Sequence, residues 1–148
     1  MKLAKALKQK NKIAGEVAQL KDLLTKQNVR STKQKFDYVN TDVLAQLRGK
    51  IGELVKVKAA IASANVEVYE KIFRLAELKG LVTTLTALDV RNGVFYERGG
   101  YGEQPVAIEY TAQLTKVEVD KLTAELQAEI QSLQDELDEF NFTQAVNL

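Results

Sequence analysis

A single proline, Pro105, interrupts 148 residues. Proline is the residue that an α-helix interior excludes, through its missing N–H and its clash with the preceding turn. A chain with only one can run long helices over most of its length, and the apolar spacing uses that freedom. Val119, Leu122, Leu126, Ile130, Leu133, Leu137 and Phe140 make six intervals in 21 residues. That is the 3.5-residue repeat of a left-handed helix–helix seam. Thr115, with Glu118 three residues later, has the form of a capping box, in which each side chain accepts from the other residue's amide. The spacing predicts a helix over 115–140, followed by a tail, NFTQAVNL, that loses the period.

Two more helices follow from the same test. Leu3, Ala6, Ile13, Val17, Leu20 and Leu24 recur in threes and fours, with Lys10 in the missing place, and predict a helix over 3–28. Leu44, Leu47, Ile51, Leu54, Lys58, Ile61 and Asn65 predict a second over 42–64, with a break at Ser63, Ala64 and Asn65. Asn40, Thr41 and Asp42 offer N-cap chemistry at its start. The stretch between these helices is polar, and Phe36 to Tyr38 read as a weak third strand for the hairpin described below.

Residues 68–89, VYEKIFRLAELKGLVTTLTALD, form the most apolar long segment. Wound at 100° per residue, Val68, Ile72, Leu75 and Val82 share one broad face, which Tyr69, Phe73 and Ala76 extend. Leu78, Leu81, Leu85 and Leu88 fall on a neighbouring face. A helix apolar on most sides is buried on most sides. A helix over 67–90 is therefore expected as the element around which the others pack. If one face fills the protomer core, the four leucines Leu78, Leu81, Leu85 and Leu88 are left as a self-association surface, unless the hairpin folds over them.

RNGVFYERGGYG (91–102) opens on an Asn-Gly turn signal, and VAIEYT (106–111) has strand character. The two predict a β-hairpin over about 94–111 with a mobile tip at Gly99, Gly100 and Gly102. These glycines do not follow a strand and open a helix, so a dinucleotide fingerprint is not formed. Arg91, Phe95, Tyr96, Arg98 and Tyr101 mix cations with aromatic rings, as single-strand nucleic-acid binders do. They are the candidate partner-contact loop. Glu97 and Glu103 flank them, which makes nucleic acid an unfavoured partner.

Composition closes several routes. There is no cysteine and no histidine, hence no disulfide, no thiolate zinc site and no histidine acid/base. Carboxylate metal sites of helical bundles use Glu-x-x-His pairs, which cannot be made here. The acidic run Asp135, Glu136, Asp138 and Glu139 reads as a solvated face. No nucleotide, metalloprotease or hydrolase motif occurs. The chain reads as a non-enzyme with no metal and no cofactor. MKLAKALKQK lacks the apolar core of a signal peptide, and no apolar run reaches the roughly 20 residues of a membrane span, so a cytoplasmic location is expected. The net charge of +1 hides an asymmetry: residues 1–35 carry +8 and residues 115–148 carry −6. The first and last helices are thus natural neighbours.

The chain resembles a family of short bacterial helical proteins of unknown function, some of whose members are labelled septicolysin. The likeness rests on the MKLAKAL start, on IASAN (61–65), on KIFRLAELKGLVTTL and on the final LQDELDEFNF. It departs where Phe142 follows Asn141, a place where members carry Trp, and in the short basic loop after the first helix, where members are acidic. The resemblance implies a helical fold and a bacterial source. It supplies no activity and no catalytic residues.

These readings converge on one mainly α domain over 1–148, with four long helices in a bundle-like arrangement and a small β-hairpin before the last. The function expected is a self-assembling homo-oligomer acting as a scaffold. The alternative is a nucleic-acid- or protein-binding module that uses hairpin 91–104.

Overall fold

A computed structural model describes residues 1–147. The fold is mainly α, with helices α1 (Leu3–Lys26), α2 (Asn40–Ala64), α3 (Tyr69–Thr86) and α4 (Lys116–Thr143). Strands β1 (Gly93–Glu97) and β2 (Val106–Tyr110) pair between α3 and α4. The backbone forms two compact units: residues 1–69 with 137–147, and residues 70–136.

In the first unit, α1 buries Leu3, Ala6, Ile13 and Val17, as its stripe requires. Against it α2 turns Val43, Leu47, Leu54, Val57, Ile61 and Ala64, with Lys50 half-buried in the series. This seam is displaced by one residue, at alternate positions, from the predicted one. Leu44 and Ile51 face water, and Val43, Lys50, Val57 and Ala64 take the inner places. The inner series continues through Ile61 and Ala64 to Val68, whereas the predicted one ends on the polar Asn65. The predicted break at 63–65 is one 3-10 turn, Val66–Val68, and the hydroxyl of Tyr69 donates to the Ala62 carbonyl at 3.1 Å.

The N-cap expected at 40–42 is used differently. Val39 is the N-cap of α2 and makes no side-chain cap bond. The Asn40 amide instead donates to Leu24 O at 3.0 Å and to Asn28 Oδ1 at 3.3 Å, satisfying a carbonyl that the end of α1 leaves open. Residues 36–38 form no strand, and Phe36 and Tyr38 are exposed. Their polar neighbours offer no apolar face on which a third strand could pack.

The tail that loses the period has its own task. The Leu3 amide donates to Gln144 O at 2.9 Å, the Val146 amide to Met1 O at 2.7 Å, and Lys2 Nζ to Thr143 O at 2.7 Å. An antiparallel bridge pairs Lys2 with Ala145. Val146 enters the core beside Leu3, Ala6 and Ile61, and Phe140 packs against the same cluster. The first and last helices therefore meet end on, through backbone bonds. The ion pairs expected of their charges are made elsewhere: Lys50 with Glu16 of α1, and α3 cations with α4 carboxylates.

In the second unit, α3 and α4 run antiparallel. Arg74 bonds Glu129, and Lys71 bonds Glu136. The buried apolar side chains here are Leu75, Val119, Ile130 and Leu133. The capping box forms: the Thr115 amide donates to Glu118 Oε2 at 3.1 Å, and the Glu118 amide to Thr115 Oγ1 at 3.3 Å. Leu122 is exposed and Thr123 is half-buried, so the seam steps past Leu122. The largest departure from expectation is α3 itself. Only Leu75 is buried along it, and Phe73 is 63% exposed. A helix with one partner helix buries one stripe, whatever the rest of its surface carries.

Candidate functional site

The hairpin begins where α3 ends. Asp89 Oδ1 accepts the Arg91 amide at 3.0 Å, an Asx turn that brings the two side chains together. The guanidinium then closes on the same carboxylate, Nε at 3.0–3.1 Å and Nη2 at 2.8 Å. Its face lies 4.0 Å from the centre of the Tyr110 ring, and Nη1 is 3.6 Å from Glu97 Oε1. The Tyr110 hydroxyl donates to Glu97, and Phe95 meets the Tyr110 ring edge-on at 6.1 Å. Asn92 Oδ1 accepts the Ala112 amide at 3.2 Å. The hydrogen bonds of Arg91 to Asp89 hold that carboxyl below its usual range and raise the guanidinium's pKa further. Donation to Glu97 raises the Tyr110 phenol above its usual value.

The register explains which residues are consumed. Phe95 faces Ile108, Gly93 faces Tyr110 and Glu97 faces Val106, which sets Phe95, Ile108 and Tyr110 on one side of the sheet. Val94 and Tyr96, opposite Glu109 and Ala107, stand on the other side, exposed. A two-stranded sheet is marginal alone in water, so the cluster of Asp89, Arg91, Tyr110 and Glu97 acts as its latch. Of the predicted contact residues, Arg91 and Phe95 are thus used in holding the hairpin. Tyr96, Arg98 and Tyr101 remain open to solvent. The tip is a closed turn: the Glu103 amide donates to Gly100 O at 2.9 Å, the Gly100 amide donates to Glu103 Oε2 at 2.9 Å, and Gly102 sits at φ +84°. A Cβ on Gly99 would stand 2.9 Å from Gln104 O, so that glycine is fixed by close backbone approach.

The four predicted leucines divide. Leu78 and Leu85 are half-buried on the α4 side, whereas Leu81 and Leu88 are 44% and 39% exposed. Leu88 borders an open cleft of about 580 Å³ whose other walls include Arg91, Phe95, Lys116 and Val117. The hairpin base thus approaches Leu88 and leaves Leu81 uncovered. Sequence reasoning missed further exposed apolar residues: Leu44, Ile51, Val55 and Val66 beside α1, Phe73 on α3, and Val117 and Phe142 on α4. The phase of α2 was the available signal for the first group.

A second feature lies between α1 and α2. Lys5, Lys8, Lys12 and Lys50 line an open groove of about 440 Å³, with Ile13, Glu16 and Glu53. Lys50 Nζ stands 3.0 Å from both Glu53 and Glu16, bonds that raise its pKa. Lys5 and Lys8 have no carboxylate within ion-pair distance among the described residues.

Among the described residues, no three acidic side chains come together to hold a metal ion, and no helix is long and apolar enough to cross a membrane. The chain matches no protein-family model, no curated protein and no solved structure.

Proposed function

We propose that this chain is a non-enzymatic, self-assembling helical protein, a homo-oligomer that serves as a scaffold in the bacterial cytoplasm. The carrying observation is the apolar surface of α3, where Phe73, Leu81 and Leu88 are exposed. Such side chains gain about 1.5–3 kcal/mol each when fully buried, and a second copy is the simplest cover because a two-fold interface needs one self-complementary patch. The resemblance to the short bacterial helical family agrees with a role that needs no catalytic residue. The absence of histidine and cysteine from the sequence leaves carboxylates, lysines and tyrosines as the titratable side chains for chemistry, with arginine held as a cation.

Sedimentation velocity at high micromolar concentration tests the proposal. Wild type should run above protomer mass, and Leu81→Glu with Leu88→Glu should give helical protomers. These two positions are better probes than Leu85, which is half-buried and would confound dissociation with unfolding. A wild-type protein that stays at protomer mass ends the reading. The alternative, a binding module built on hairpin 91–104, keeps Tyr96, Arg98 and Tyr101 as its free groups. A salt-dependent mobility shift with single-stranded RNA would favour it.

A further inference from the structure

We propose that the groove lined by Lys5, Lys8 and Lys12 receives the acidic outer face of α4, around Leu122, Glu125 and Asp135, from a second copy of this chain. The proposal rests on the self-association reading and names its contact. The first unit holds fourteen Lys/Arg against eight Asp/Glu, a net of +6. The second holds seven against twelve, a net of −5.

What each unit leaves unneutralised is specific. In the second, Lys71, Arg74, Arg91 and Lys116 close on Glu136, Glu129, Asp89 and Asp120. Glu125 has no cation among the described residues, and Asp135 takes only the Gln131 amide at 2.8 Å. In the first, Lys5 and Lys8 are free, and Lys12 reaches Glu16 only at 4.0 Å. Complementary charge is thus left over on two faces of different units.

The shapes also match. A groove between two antiparallel helices is where a third helix packs, ridges into grooves. Ile13 lines it as apolar floor. On α4, Leu122, Glu125, Ser132 and Asp135 recur at steps of three and seven, which puts them on one helix face. Leu122 there is exposed. Glu125 to Asp135 spans about 15 Å and Lys5 to Lys12 about 10 Å along their helices, a difference that flexible lysine stems take up. Two such contacts related by a two-fold axis close a dimer, and one contact per copy builds a chain. Complementary charge would set orientation and association rate.

The test uses the whole chain. Wild-type mass by light scattering is followed from 0.05 to 1 M NaCl, a range in which the screening length falls from above about 10 Å to about 3 Å. Association should weaken at least tenfold. Two variants then reverse one face each: Lys5→Glu with Lys8→Glu, and Glu125→Lys with Asp135→Lys. All four positions are exposed, and helicity by circular dichroism checks that each variant folds. Alone, each should run near protomer mass at low salt; mixed, they should recover assembly, because each reversed face meets its complement. Assembly that ignores salt, or variants that assemble alone as wild type does, would overturn this contact and leave self-association standing. So would a mixture that fails to recover. Protomer mass for the wild type under all conditions would remove both. If a variant loses helicity, the wild-type salt series decides alone.

Discussion

The α1/α2 unit and the α3/α4 unit each pair two antiparallel helices on a repeat near 3.5 residues, yet they bury very different amounts. Eleven of the fifteen buried apolar side chains lie in the first unit and four in the second. In the first, the α1/α2 seam is rich in small and β-branched residues, such as Ala6, Val57, Ala60 and Ala64. The two backbones come close along their length. The chain's tail then adds Val146 and Phe140 to the same core. In the second, Leu75, Ile130 and Leu133 are larger, the helices stand further apart, and Arg74 and Lys71 bond across to Glu129 and Glu136. Interaxial distance follows the side chains at the contact. The most apolar segment of the sequence thus lies in the thinner unit. Burial depends on how many neighbours a helix has, and apolar content alone does not supply them.

The largest expected effects test that contrast directly. Leu3→Ala and Ile61→Ala should each cost about 2–5 kcal/mol, since a filled core relaxes poorly around a cavity. Leu3 is fully buried and Ile61 nearly so. Leu133→Ala should fall at the low end of that range, because a two-helix seam beside solvent can close or hydrate the gap. Chemical denaturation followed by helicity measures all three. Equal losses would mean that the second unit is packed as tightly as the first.

Next in size is the capping box. Thr115→Ala should cost about 0.5–2 kcal/mol and Thr115→Ser much less, since serine keeps the acceptor oxygen. If alanine at this position is neutral, the start of α4 is held by the hairpin and the cap is incidental.

How much of this was legible depended on the reach of each signal. The capping box, the α1 stripe, the hairpin and the four helices were readable because each is a local pattern with a local cause. The phase of α2 was not, because Val43/Val57 and Leu44/Ile51 are both apolar series one residue apart. Only the continuation to Ala64 and Val68 separates them. The use of Asn40 to close α1, and of Val146 to fill the core, depends on partners 16 or more residues away. At the hairpin, an Arg–aromatic cluster looked like an offered surface. Asp89, two residues before Arg91, was the mark of a latch.

The ion pairs of the second unit should prove weaker than their number suggests. A double-mutant cycle on Arg74 and Glu129 should give about 0–1 kcal/mol, as exposed pairs do, and less at high salt. A coupling well above that would place these pairs, rather than the apolar seam, as what holds α3 to α4.

The smallest effect separates the hairpin latch from both helical pairs, and it is read through protons. The Asp89 carboxyl is lowered by its bonds from Arg91, so its contribution is present above the ordinary carboxylate range and is lost as pH falls through the depressed value. The Tyr110 phenol is raised by its bond to Glu97, so its contribution is full below about 10 and is lost as pH rises through the raised value. The latch is therefore closed between those limits and opens at either end, while the helical cores carry no comparable buried charge. Subtracting the phenolate absorbance of Tyr110→Phe from that of wild type isolates this one ring among five tyrosines. It should titrate above the ordinary phenol value, and Glu97→Gln should bring it back down. Helicity should stay unchanged throughout, because no helix residue is part of the pair. A Tyr110 that titrates at its ordinary value in wild type would show that its hydroxyl does not rest on Glu97. The sheet would then be held by Arg91 and Asp89 alone.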